Sequence, residues 1–230
     1  MGRVLHYLKS ALDGSHEGRV SVYVAATDRL ESLKWNPASD QATLVVAHLD
    51  WSRFSVRAFE AWGLAKGSDP QRRATLDVEG DQLRMSLMPE PITLHHWPWH
   101  SYDFDFTSLM LVLPHRVNPR RELRFWRTDF VHSDPPVIAE LGEVTLRYVG
   151  RERFRGRTAW RYRLSGPGLG DAGQGGDWWV DPRSGLTLEY RLPVGDEPGY
   201  DNVMFRLQSS QAMSAEEWQS FKMAAVSGGS

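Results

Sequence analysis

The densest concentration of reactive side chains runs His95-His96-Trp97-Pro98-Trp99-His100-Ser101-Tyr102-Asp103-Phe104-Asp105-Phe106, three imidazoles, two carboxylates and five aromatic side chains in twelve residues. Read as an extended segment, Ser101, Asp103 and Asp105 share one face, while Tyr102, Phe104 and Phe106 share the other. Carboxylates buried together beside aromatic rings have their pKa values pushed apart, which yields one acid and one base, and an imidazole moves protons near neutrality. On this reading His100, Asp103 and Asp105 form a catalytic group, with an aspartate as base and His100 as acid. The same pattern also describes an ordinary amphipathic strand, with the aromatics in a core and the acids capping turns or facing water.

A metal is a further use of these residues, since His95, His100, Asp103 and Asp105 are all acceptable ligands for zinc, iron or manganese. Their spacing is not diagnostic, and no metal and no cofactor is expected. The chain has no Cys, which removes disulfides, thiolate metal sites and thiol nucleophiles. No Gly-x-Ser-x-Gly elbow marks a serine hydrolase.

Aromatic residues supply the second set of candidates. His48 stands in the alternating run Val46-Ala47-His48-Leu49-Asp50, in register to point inward from an opposite wall. Trp99, Tyr102, Trp160 and Trp179 offer flat, rigid surface for stacking on a ligand. Trp178 and Trp179 are adjacent, so one faces the core and the other the opposite side of a strand.

These residues need a scaffold, and the pattern that provides one has period two. Strands are expected at Arg19–Ala26, Glu31–Trp35, Thr43–Asp50, Phe54–Trp62, Arg73–Val78 and Gln82–Leu87. Pro89–Pro98 interrupts the pattern and belongs to a rim or loop. Leu109–Leu113 reads equally as strand or short helix. Further strands are expected at Glu122–Phe130, Glu143–Val149, Thr158–Leu164, Trp178–Val180, Leu186–Leu192 and Asn202–Gln208. Loops are expected at Val131–Pro136 and at Gly166–Gly176, the latter mobile, with six glycines in eleven residues. The Asp181-Pro182-Arg183-Ser184-Gly185 connection has turn stereochemistry. Ser214 and Glu217 form a capping box opening a C-terminal helix. The absence of a strand–helix rhythm excludes doubly wound α/β folds. The expectation is one mostly β domain over residues 1–224, an antiparallel barrel or half-barrel of about ten strands with a short C-terminal helix, followed by a disordered tail at 225–230.

Composition narrows the partners. Twenty-seven basic and 29 acidic side chains leave a net charge of −2, so no nucleic acid partner is implied. No run approaches the length of a membrane span, and Met1–Lys9 lacks the apolar core of a signal peptide, so the cytoplasm is the expected compartment. The oligomeric state is not readable.

The residues Gly156–Leu164, followed by Trp178-Trp179-Val180-Asp181-Pro182-Arg183-Ser184-Gly185-Leu186, resemble those of bacterial β-rich half-barrel proteins similar to the lipoprotein carriers. The resemblance covers residues 143–208. It implies a curved antiparallel sheet around a hydrophobic ligand space, and it identifies no catalytic residue.

Three functions fit these readings. The first is a protein that binds a small apolar or aromatic molecule in an aromatic-lined β cavity, oriented by His100, Asp103, Asp105 and His48. The second is a cofactor-independent lyase, isomerase or cyclase working in the same cavity. The third is an interaction domain using a sheet edge or the Trp178-Trp179 hairpin.

Overall fold

In the computed structural model, all residues are described except 116–117, 132–136, 171–174, 193–201 and 228–230. All of the first expected loop but Val131, the middle of the glycine-rich one (171–174), and the last three residues of the expected tail lie outside the described residues. The N-terminal half is a meander: β1 (Arg3–Ala11), β2 (Gly18–Val24), β3 (Arg29–Trp35), β4 (Gln41–Asp50), β5 (Ser55–Ala65), β6 (Gln71–Glu79), β7 (Gln82–Met85) and the two-residue β8 (Ile92–Thr93). A two-residue β9 (Trp99–His100) and the helix α1 (Thr107–Val112) follow. The second meander comprises β10 (Leu123–Val131), β11 (Val137–Phe154), β12 (Arg157–Ser165), β13 (Gly176–Val180), β14 (Thr187–Leu192) and β15 (Val203–Ala212), and α2 (Ala215–Val226) ends the fold.

The two meanders make one sheet because β1 pairs with β15, giving the order β8 to β1, then β15 down to β9. Pairing is antiparallel except between β9 and β10, which are parallel. Of the expected antiparallel barrel or half-barrel of about ten strands, the mostly β character holds, and the closed barrel is corrected to one large open sheet, of fifteen strands among the described residues. Closure fails where the proline-rich segment 89–98 cannot sustain a ladder, so the edges are the two-residue β8 and β9. The sheet nevertheless curls until β9 meets β5, where the Ser55 hydroxyl donates to the Trp99 carbonyl (2.8 Å) and accepts from the Trp99 amide (3.1 Å).

The inner face carries the main core. Val45, Phe59 and Leu76 from the first meander pack in one cluster with Phe125, Leu146, Tyr162, Trp178 and Tyr190 from the second, and Trp99, Tyr102, Phe104, Phe106 and Leu109 fill the space between. On the outer face α2 covers only the first meander, against Val4, Tyr23, Leu33 and Leu44. Its capping box forms as expected from Ser214 and Glu217. Glu31 anchors it by accepting from Trp218 Nε1 (2.7 Å) and Lys222 Nζ (2.9 Å). Ala225 and Val226, assigned to the tail by the sequence pattern, are buried in this helix.

The start of the glycine-rich segment is packed rather than mobile. Pro167–Leu169 forms a short 3-10 turn against β11, and a Cβ on Gly168 would lie 2.4 Å from the Gly142 carbonyl oxygen. Arg127 Nη1 donates to the Gly168 carbonyl at 3.2 Å, tying the turn to β10.

Candidate functional site

Residues 101–106 are not extended. They turn into α1, with Asp105 and Phe106 both in the left-handed region at φ 49°. That geometry breaks the expected alternation: Asp103 is exposed and Asp105 is fully buried, alongside Tyr102, Phe104 and Phe106. The expected shared face for Ser101, Asp103 and Asp105 is therefore corrected. The ambiguous segment near Leu109 is helix, because α1 places Leu109, Met110 and Val112 against the core.

His100 is fully buried, with Nδ1 2.9 Å from the Ser108 hydroxyl and its ring edge-on to Phe125. Its Nε2 has no hydrogen-bond partner among the described residues. Burial pushes its pKa down to about 3, so the imidazole is neutral at pH 7 and a poor proton donor. Asp105 lies between two cations, Lys9 Nζ at 3.0 Å and Lys34 Nζ at 3.1 Å. Burial pushes its carboxyl up, but the ammonium groups of Lys34 and Lys9 and their hydrogen bonds outweigh it and hold the group below its ordinary value. Lys34 also donates to the Asp103 carbonyl, and the Tyr190 hydroxyl donates to the Asp105 carbonyl at 3.2 Å. The acid–base pairing of His100 with either aspartate receives no support from this arrangement.

A carboxylate that the sequence did not single out, Asp129 on β10, organises the same turn. It is buried, pairs closely with Arg127, and accepts from the Ser101 hydroxyl (2.6 Å) and the Asp103 amide (3.1 Å). Asp103 in turn accepts from the Phe130 amide at 2.8 Å. Burial pushes the Asp129 carboxyl up, Arg127 opposes this, and the nearby Asp103 charge pushes it up again, for a net rise. The alternation Phe125, Arg127, Asp129 along β10 was the available signal. Two charged residues on an inward register of a strand demand a buried partner.

The expected ligand-binding residues do not converge. Trp99 and Tyr102 are buried in the main core, with Lys9 Nζ and Arg127 Cζ each 5.3 Å from the Tyr102 ring centre. Trp160 is half-buried beside Tyr148. His48 is corrected from inner to outer face: in β4 it is Val45, Ala47 and Leu49 that enter the main core. His48 instead lines an outer cleft of about 440 Å³ with Trp62, Lys222 and Met223. Trp178 and Trp179 divide as expected. Trp178 enters the main core, while Trp179 lies on the outer face, stacked on Phe154 at 4.3 Å and donating to Glu152 at 2.6 Å.

The inner concavity is thus filled by the chain's own aromatic side chains, and a cleft opens beside the plug. It has a volume of about 420 Å³ and an apolar wall of Phe54, Pro98, Val112 and Leu123. His100 lies in its lining and Arg53, Asn118 and Arg121 supply polar groups. Among the described residues no group of three or more His, Asp or Glu side chains is placed to hold a metal ion. No helix among them is long and apolar enough to cross a membrane.

Comparison with known proteins gives a resemblance of fold. No protein-family model matches the sequence, and no curated protein matches it. Among solved structures, a hypothetical lipoprotein, YmcC, from Escherichia coli is 12% identical over 91% of this chain and 88% of that one, with a TM-score of 0.42. A putative outer membrane lipoprotein-sorting protein domain from Vibrio parahaemolyticus is 10% identical, covering 98% and 91% of the two chains, with a TM-score of 0.31. A LolA-superfamily protein from Nitrosomonas europaea is 12% identical, covering 92% and 84%, with a TM-score of 0.26. The likeness to lipoprotein carriers, read in sequence over residues 143–208, is thus a weak structural similarity that extends along the chain. The cytoplasmic expectation finds no support in these neighbours, whose descriptions are those of a lipoprotein and an outer-membrane lipoprotein-sorting domain.

Proposed function

We propose that the protein binds a small hydrophobic or aromatic molecule in the cleft beside His100. The observation that carries this reading is the composition of the cleft. Phe54, Pro98, Val112 and Leu123 offer apolar surface, and the buried His100 Nε2 lacks a partner. A buried polar atom left unsatisfied is costly, and a ligand bearing one hydrogen-bonding group beside an apolar body would relieve it. Arg53 and Arg121 in the lining supply cationic groups for a polar end of the ligand. A space of about 420 Å³ suits one small molecule.

The test is titration of the full chain with an apolar naphthalene fluorophore and a series of small aromatic alcohols, read by fluorescence and calorimetry. Leu123→Glu places a charge in the apolar wall and is expected to weaken binding at least tenfold, about 1.4 kcal/mol. Affinity unchanged in Leu123→Glu, with the fold intact by circular dichroism, removes the cleft as the site.

A further inference from the structure

The outer face of the second meander, which α2 leaves uncovered, carries a cluster of a different chemistry. Glu189 on β14 is fully buried and accepts from three guanidinium groups, Arg155 Nε (2.9 Å), Arg191 Nε (2.7 Å) and Arg206 Nε (2.8 Å). Arg157 lies beside them, exposed, with no ion pair among the described residues. Three guanidinium groups therefore meet one carboxylate, and a fourth lines the same cleft unpaired among the described residues. Each of the three bound arginines commits its Nε to Glu189, which fixes the plane of the guanidinium while leaving terminal N–H donors for something else. One of these, Arg206 Nη2, lies against the Met204 sulfur.

The backbone around this cluster is shaped away from regular sheet. A cleft of about 470 Å³ opens here, lined by Arg155, Arg157 and Arg206, by the hydroxyl-bearing Ser209 and Ser210, and by apolar Phe154, Leu188 and Leu207. Two strand bulges border it. Trp179 pairs with Glu189 and Val180 with Thr187, leaving Leu188 as the extra residue. Tyr7 pairs with Leu207 and His6 with Ser209, leaving Gln208 as the other. Bulges re-aim side chains and recur beside binding sites. At the third wall, the β11–β12 hairpin turns through Arg155 and Gly156 at φ 48° and 78°. Glycine and asparagine suit the first of these positions and arginine does not, so the turn accepts an unfavourable conformation while its guanidinium reaches Glu189.

We propose that this cleft is a binding site for a phosphate group, carried either by a soluble phosphate ester or by a lipid headgroup. Arg157 and the free terminal donors of Arg155 grip the phosphate oxygens, and Glu189 acts as a positioning residue that holds the guanidiniums in place. A phosphate dianion suits the surplus of positive charge and accepts several charge-assisted hydrogen bonds at once. Phe154, Leu188 and Leu207 give the organic part of the ligand an apolar surface. The site is on the opposite face of the sheet from the cleft beside His100 and stands independently of the function proposed there.

The experiment uses the full chain in two arms. In the first, inorganic phosphate and glycerol 3-phosphate are titrated and followed by calorimetry and phosphorus NMR, with sulfate as a competitor. In the second, co-sedimentation is measured with phosphatidylcholine vesicles with and without phosphatidic acid. Saturable binding is expected in at least one arm, weakened at least about tenfold by Arg157→Gln, an exposed position where circular dichroism and the melting temperature should not change. Arg155→Gln provides a second variant with the same expectation. Leu123→Glu, in the other cleft, should leave phosphate binding at the wild-type level, so failure of either site is seen separately. Binding in the first arm alone identifies a soluble ester, and binding only to vesicles with phosphatidic acid identifies a headgroup. Absence of binding in both arms, or affinities equal to wild type in both arginine variants, overturns the proposal.

Discussion

Replacing His100 should change how stability depends on pH, by an amount that follows from its burial. In the folded protein the imidazole is held neutral, its pKa pushed down to about 3 by desolvation. In the unfolded chain it returns to about 6.5. A depressed folded pKa means that stability is fully present above the unfolded value and is lost as pH falls from there towards the folded one. At pH 5 the unfolded imidazole is about 97% protonated while the folded one stays neutral, so proton uptake favours unfolding by about 2 kcal/mol relative to pH 7. A folded pKa of about 4 instead of about 3 leaves that figure nearly the same, because both lie well below pH 5. His100→Asn keeps a group able to bond Ser108 but cannot take up the proton. Its cost from the lost ring packing is independent of pH, and the other titrating groups, Glu31, Asp105 and Asp129 among them, are common to both proteins. Urea denaturation of each protein at pH 7, 6 and 5 therefore isolates the His100 contribution. The expected result is that wild type loses about 2 kcal/mol more than His100→Asn between pH 7 and 5. A difference that moves by less than about 0.5 kcal/mol over that interval would mean that His100 protonates in the folded state, and would refute the desolvation argument.

Two further substitutions test the supports of the plug. Asp105→Asn removes the carboxylate that meets Lys9, only 5% exposed, and should destabilise the fold by about 3–5 kcal/mol in urea melts; a loss below about 1 kcal/mol would mean the lysines relax into solvent. Ser55→Ala removes the hydroxyl that both donates to and accepts from the Trp99 backbone, and should cost about 1–3 kcal/mol, with faster hydrogen exchange at the Trp99 amide than at the inner strands. Unchanged exchange at that amide would show that β10 alone secures the edge.

What the sequence disclosed depended on how local each signal was. The turn at Asp181–Gly185 forms where its residues demand it, with Gly185 at φ 72° and its amide donating to the Asp181 carbonyl at 2.8 Å. The capping box at Ser214 is equally local. Strand β1 has no clear local signature, because its apolar residues Val4, Leu5, Tyr7 and Leu8 do not keep strict period two and are interleaved with His6 and Lys9. Both of its faces are covered, Val4 by α2 and Leu5 and Tyr7 by the main core, and the Lys9 on its inner side is met there by Asp105. The segment 101–106 departs from its local pattern for a related reason. Six residues that alternate aromatic and acid look like a strand, yet a turn entering a helix can bury every aromatic and one of the acids, provided that distant lysines compensate the charge. No local pattern reports such compensation.

The filled concavity also bears on what this fold can carry. The segment between β9 and α1 is pinned from three directions, by Ser55 at its start, by Lys9 and Lys34 on Asp105, and by the Arg127–Asp129 pair through Ser101. Each attachment holds a buried backbone or charged group, so withdrawing the plug would expose several unsatisfied polar atoms at once and open the aromatic core to water. A large apolar cargo seated where Phe104, Phe106 and Leu109 now pack would require that withdrawal. A small molecule in the cleft beside His100 would not, since Phe54, Pro98 and Leu123 already border an open space there. The physical arrangement therefore favours binding at the margin of the plug over carriage of a bulky ligand within the sheet, and it makes the two cases separable by size: affinity along a homologous series of apolar ligands should rise until the cleft is full and then fall.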